Sequence, residues 1–176
     1  FFIKIFDQFN EIPAKVYLVR SRKAGMTIFF YLHNLTNTHI IMKQVLATLV
    51  GFFIAAFVVY LFETLLGQTF FPLPEGSDPT NLEWLKENMH VIPTGAKVFV
   101  VIAHFFGIIC GMFVAGWISK TSMVPAYIVG ILMLAATTFN LVVLPKETWF
   151  LLSDAILAIA GFFIGKKLAA RKMQSP

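Results

Sequence analysis

Four polar side chains inside otherwise apolar stretches are the residues of this sequence best suited to chemistry. They are Glu63, His104, Asn140 and Asp154. The carboxylates can hold a cation, the imidazole can titrate near neutral pH or bind a metal ion, and the amide can donate and accept hydrogen bonds. These residue types predict either a small site for a proton, a cation or a polar ligand, or a set of hydrogen bonds that fixes helix register.

The sequence lacks the common catalytic motifs. It contains no HExxH, no CxxC pair, no P-loop and no GxSxG. Its single cysteine, Cys110, cannot form an intrachain disulfide, and we expect it to pack as a small apolar group. The sequence therefore favours a non-enzymatic protein without a cofactor, and it leaves open whether a metal ion binds.

The elements that carry these side chains are predicted membrane spans. Of the 176 residues, 58% are hydrophobic and only 13% are charged, unlike the composition of a soluble domain. A helix needs about 20 apolar residues to cross the hydrocarbon core of a bilayer. We therefore predict an all-α integral membrane protein, with four transmembrane helices in a bundle. The expected spans are 44–66, 97–119, 123–144 and 149–170.

Charged residues predict the orientation of these spans. Basic residues collect before the first span, in the second loop at Lys120 and at the end of the chain, whereas the first loop is mainly acidic. The positive-inside rule then places both termini in the cytoplasm. The net charge of +5 lies beside the spans rather than on a soluble patch, so nucleic acid is not an expected partner. The bilayer is one expected partner, and a second copy or another membrane protein is an open alternative.

The first loop is predicted to carry a helix of its own. Thr80 and Glu83 have the spacing of a capping box, in which each side chain bonds the other residue's backbone N–H. Leu82, Leu85 and Met89 follow on one helical stripe. We expect a short interfacial helix lying on the outer face of the membrane.

Depth in the membrane relates the four polar side chains to one another. At 1.5 Å per residue, all four fall within roughly 5–10 Å of the outer boundary, one on each span. We therefore predict a polar layer formed by Glu63, His104, Asn140 and Asp154, which Thr137 can join because it lies one turn from Asn140.

Small residues recur at four-residue intervals along one face of the second span. They are Ala103, Gly107, Gly111 and Ala115. Lipid tails are as apolar as leucine, so helices in a bilayer associate where small residues let their backbones approach closely. We predict a helix-packing face here, and leave open whether its neighbour belongs to the same chain or to a second copy.

The composition of the chain changes at Met42. Residues 1–41 mix apolar clusters with a basic patch, whereas Met42 and Lys43 precede a long apolar run, as at the start of many bacterial inner-membrane proteins. We predict that 1–41 is an arm that is either not native or disordered, with an amphipathic cytoplasmic segment as the alternative. The four-span domain is then 42–172, and 173–176 is a cytoplasmic tail.

Over about 42–172, the chain resembles a family of small, uncharacterised four-helix proteins of the bacterial inner membrane. The matching features are the start at Met42 and the stretches AHFFGIICGMFVAG, GILMLAATTFNLVVLPKETWF and SDAILAIAGFFIGKKLA. The resemblance implies a four-span architecture and a location in the bacterial inner membrane. It implies no activity.

Two functions are compatible with these features. The first expectation is a non-enzymatic packing or subunit protein that acts through the face from Ala103 to Ala115. The alternative is binding or transport of a small solute, a proton or a cation through the polar layer. The two functions predict different arrangements of the four polar side chains. Convergence on a hydrated cavity favours binding, whereas separate local hydrogen bonds favour packing.

Overall fold

The computed structural model describes the backbone of residues 22–145 and 147–174, and the side chains of residues 38–145 and 147–172. This described part is helical throughout its regular structure and contains no strand. The helices are α1, Arg22–Tyr60; α2, Leu82–Asn88; α3, Thr94–Ser119; α4, Val124–Val143; and α5, Thr148–Gln174.

Contacts divide the chain into two units, Phe1–His39 and Ile40–Pro176. The described part of the first unit, residues 22–39, is helical. The predicted arm 1–41 therefore lies partly outside the described residues, and whether it is native stays a prediction. All contacts reported below lie within the second unit.

Within the described residues, four helical stretches are long and apolar enough to cross a membrane. They are Thr38–Phe70, Thr94–Ser119, Val124–Val143 and Thr148–Lys172. The first joins the end of α1 to a π-helical segment, Leu61–Gly67, and a last helical turn, Gln68–Phe70. The predictions of an all-α chain and of four helices able to span a membrane are confirmed, and they indicate a multi-pass membrane protein.

Local sequence signals account for the helix ends. The side chain of Asn81 accepts hydrogen bonds from the backbone N–H groups of Glu83 and Trp84, which caps α2. The predicted capping box placed this cap one residue too early, at Thr80, whose hydroxyl bonds Asp78 instead. At the C-terminal end of α3, Lys120 adopts a left-handed conformation, and its backbone N–H donates a hydrogen bond to the carbonyl of Gly116.

The small residues of α3 lie against small residues of α1. A Cβ atom added to Gly111 would lie 2.7 Å from the Cβ of Ala55 and 2.9 Å from the carbonyl oxygen of Gly51. A Cβ atom added to Gly51 would in turn lie 2.7 Å from the Cβ of Ala115. Real Cβ atoms do not approach this closely, so only small residues permit this distance between the two helices.

A second close contact joins α3 to α5, on a different set of residues. A Cβ atom added to Gly161 would lie 2.9 Å from the carbonyl oxygen of Phe105, and one added to Gly116 would lie 2.6 Å from the Cβ of Ala169. The order of these contacts shows that α3 and α5 run parallel. Because α3 also contacts α4 and the π-helical segment, it is the helix on which the others converge.

Bulk added at the contact between α1 and α3 should destabilise the protein. Gly111→Leu and Ala55→Leu both place a side chain where a neighbouring helix already lies, and overpacking typically costs about 1–3 kcal/mol. The matched control is Ala56→Leu, because Ala56 follows Ala55 but is exposed. Melting temperatures in detergent should fall for the first two variants and stay near wild type for the control. Equal melting temperatures for Ala55→Leu and Ala56→Leu would contradict this packing.

Candidate functional site

His104 and Asp154 form a buried hydrogen-bonded pair between α3 and α5. Nδ1 of His104 lies 2.8 Å from Oδ1 of Asp154. Asp154 is 0% exposed and His104 is 7% exposed. When the Asp154 carboxylate is ionised, it accepts this hydrogen bond and the protonated Nδ1 of His104 donates it. The pair satisfies two polar groups that would be costly to leave unmatched at membrane depth.

The parallel contact of α3 with α5 explains why these two side chains meet. His104 precedes Phe105, whose carbonyl oxygen touches Gly161, and Asp154 lies two turns before Gly161 on α5. Thr137 on α4 is also buried, and its Oγ1 has no hydrogen-bond partner within the described part of the chain.

Glu63 and Asn140 lie elsewhere, on the wall of a cavity of about 220 Å³ that we call the Glu63 cavity. Glu63 belongs to the π-helical segment, and single π-helical turns occur frequently at functional sites. Asn140 lies in the last turn of α4. Each of the four spans contributes to the lining, together with the loop that carries α2. The lining residues are Glu63, Gln68, Leu73, Pro79, Leu85, Met89, Ile92, Ala96, Lys97, Val100, Asn140, Leu144 and Phe150.

An apolar cluster holds the α2 loop against the spans beside this cavity. Met89 is buried with Val101, Leu144 and Phe150, which come from α3, the end of α4 and α5. Leu85 on α2 packs against the same cluster. Two of the three residues of the predicted stripe therefore cover the cavity, while Leu82 is exposed.

Lys97 is a polar lining residue that the sequence presented only as a charge at the edge of a span. It is 3% exposed, and its Nζ lies 2.6 Å from Oε1 of Glu147, in the loop between α4 and α5. The indole Nε1 of Trp149 donates to Oε2 of the same carboxylate at 2.6 Å. The signal available in the sequence was the presence of a lysine and a glutamate, each next to the end of an apolar run.

The structure thus places the four predicted residues in two groups. His104 meets Asp154 in a buried pair, whereas Glu63 and Asn140 share the Glu63 cavity. Neither His104 nor Asp154 is among the described residues that line that cavity. Coupling of all four side chains in a single layer stays a prediction.

The described residues contain no group of three or more histidine, cysteine, aspartate or glutamate side chains that could hold a metal ion. Comparison with protein-family models, with curated proteins and with solved structures finds no match. The candidate site therefore has to be interpreted from its own geometry. That geometry offers a mixed polar and apolar cavity, the Glu63 cavity, with charged groups on its wall.

Removing both members of the buried pair should cost less than the sum of the two single losses. His104→Leu or Asp154→Leu leaves its partner buried without the bond, so the double variant should be more stable than the sum of the single effects predicts. Contacting residues typically show couplings of about 0.5–3 kcal/mol. Reversible unfolding in detergent measures this coupling. Thr138→Val, an exposed position on α4, should be additive with His104→Leu. Additivity of the His104 and Asp154 variants would show that the pair does not form.

Acid should remove the stability that Glu147 supplies. The hydrogen bonds from Lys97 and then Trp149 hold the pKa of the Glu147 carboxyl below its usual range. A lowered folded-state pKa means that this stability is complete above the unfolded-state pKa, about 4.3, and is lost as the pH falls through the folded value. The difference in melting temperature between wild type and Glu147→Gln should therefore shrink below about pH 4.3. The control is Glu75→Gln, at an exposed position. The difference in melting temperature between wild type and this variant should not shrink over the same pH range.

Proposed function

We propose that the protein binds a small organic cation in the Glu63 cavity. The observation that carries this proposal is a cavity that combines a few polar groups with a largely apolar wall, which is the usual character of small-molecule sites. At about 30 Å³ per water molecule, the volume of about 220 Å³ suits a short organic molecule rather than a lipid.

The chemistry of the charged groups favours a cation over an anion. Among the described residues, the charged members of the lining are Glu63 and Lys97. The ammonium of Lys97 already contacts the carboxylate of Glu147. An ammonium group of a ligand can form a charge-assisted hydrogen bond to the carboxylate of Glu63, and such bonds are among the stronger ones.

The remaining lining groups suit the rest of such a ligand. The amide oxygens of Gln68 and Asn140 can accept further N–H donors. The face of Phe150 attracts cations, and Val100 and Leu144 offer apolar surface to a short alkyl group. The ligand class that matches all of these features is a primary amine with a short apolar chain.

Membrane placement belongs to the same proposal. The basic residues near both termini support a four-helix bundle of the bacterial inner membrane with both ends in the cytoplasm. The loop that carries α2 then faces outward, α2 lies at the interface, and the Glu63 cavity receives its ligand from the outer side.

The first expectation, a packing or subunit protein, was to act through the face from Ala103 to Ala115. Gly107 and Gly111 on that face contact α1 of the same chain, which leaves less of it for a partner. For this reason the binding function is favoured over the packing function.

Binding of n-butylamine tests the proposal. Isothermal titration of the detergent-purified protein should show binding of n-butylamine, and Glu63→Gln should weaken it by about tenfold or more, because the charge-assisted contact is lost. Glu83→Gln, which removes an exposed carboxylate from α2, is the matched control and should bind as the wild type does. Butyrate, of similar size and opposite charge, should not bind. Equal affinity for butyrate, or an unchanged affinity in Glu63→Gln, would refute the proposal.

A further inference from the structure

Three buried polar side chains lie at one level along α3, α4 and α5, one on each helix. His104 and Asp154 are joined by their hydrogen bond of 2.8 Å, and Thr137 on α4 is 2% exposed. The hydroxyl of Thr137 has no hydrogen-bond partner within the described part of the chain. A buried hydroxyl left without a partner lowers stability, so its surroundings should indicate which group bonds it.

The contacts between α3 and α4 place Thr137 beside His104. Glycines of α3 lie against side chains of α4 in two successive turns, Gly111 against Val129 and Gly107 against Met133. The order of these contacts shows that the two helices are antiparallel. One turn further, the same order brings Thr137 opposite Ala103, which directly precedes His104.

The contacts between α4 and α5 place Thr137 beside Asp154. Two contacts give the direction of these helices, Lys166 over the ring of Tyr127 and Gly130 against the ring of Phe162. They show that α4 and α5 are also antiparallel. Two turns further, the same order brings Thr137 opposite Ala155, which directly follows Asp154. Thr137 therefore lies level with both members of the buried pair.

We infer that Thr137, His104 and Asp154 together bind one internal water molecule. A buried water molecule typically makes about three hydrogen bonds to polar groups. The hydroxyl of Thr137 can donate and accept, a carboxylate oxygen can accept more than one hydrogen bond, and His104 has a second ring nitrogen. Ala103, opposite Thr137, contributes only a methyl group at this level, which leaves little bulk of α3 facing the hydroxyl.

The Glu63 cavity gives this water molecule a route to solvent. Three residues of the cavity lining lie one helical turn from the three polar side chains, and they are Val100, Asn140 and Phe150. One turn is about 5.4 Å. The bound water thus connects the buried pair to the cavity, and the ring N–H of His104 can exchange its proton with solvent without separation of the helices. This site lies below the cavity and does not depend on the ligand proposed there.

The sign of the stability change in Thr137→Val tests for the water molecule, because valine has nearly the shape of threonine but no hydroxyl. Loss of the bridging bond should raise the unfolding equilibrium constant in detergent about fivefold. In the Asp154→Leu background, which lacks the carboxylate, the same substitution should have little effect. The control is Thr138→Val, at an exposed position, which should have the same effect in both backgrounds. A hydroxyl without any partner is better replaced by a methyl group, so a more stable Thr137→Val variant would overturn the inference.

Proton exchange distinguishes a water molecule from a direct bond between Thr137 and the pair. In protein with isotopically labelled histidine, magnetisation transfer from solvent measures exchange of the ring N–H of His104, whose signal is the one absent in His104→Leu. Thr137→Val should slow this exchange about tenfold, and Thr138→Val should leave it unchanged. Equal rates in wild type and Thr137→Val would show that Thr137 holds no water there. Neither measurement involves n-butylamine, so both results are separate from those of the binding experiment.

Discussion

The close approach of α1 to α3 is the constraint on which the rest of the structure depends. Inside a bilayer no hydrophobic force drives one apolar helix onto another, so the association relies on contact between backbones. Gly51 and Ala55 on one side and Gly111 and Ala115 on the other supply that contact. Once α3 is held in this way, its remaining faces receive α4 and α5, which places His104 beside Asp154.

Apolar patterning was enough to predict the spans, because four long apolar runs with few charges have a single physical explanation. The small face of α3 was also visible, but its partner was not recognised. Ala47, Gly51 and Ala55 repeat the same four-residue spacing on the first span, where they are hidden among phenylalanines. A search for matching small-residue stripes on two spans would have indicated this contact.

The candidate site was harder to predict, because an error of one helical turn in the estimated depth separates side chains that were expected in one layer. His104 and Asp154 lie one turn beyond Val100 and Phe150 on the same faces of α3 and α5, so they pair with each other just outside the cavity that Glu63 and Asn140 line. Lys97 illustrates a second limit. A lysine at the end of a span normally reaches for water, and its burial here depends on Glu147, 50 residues further along the chain.

The position of the Glu63 cavity relative to the small-residue contacts bears on the kind of function it serves. Along the first span, the small-residue contacts with α3 reach Val59 and the cavity lining begins at Glu63; on α3, they reach Gly107, and the lining lies at Val100 and before it. The cavity therefore lies beyond the last small-residue contact, past the stacked rings of Phe62 and Phe106. On the other side of that contact, Ile108, Met112 and Val129 fill the space between the helices as an apolar core.

One helical turn beyond the lining residues Val100, Asn140 and Phe150 lie the buried polar side chains of His104, Thr137 and Asp154, and the apolar core follows beyond them. Moving a cation past this layer would require placing a charge among the apolar side chains of that core, which is costly in a bilayer. Between binding and transport, this arrangement favours a site that is filled and emptied from the α2 side alone. The residues that make the fold stable are thus the same ones that make the cavity a dead end.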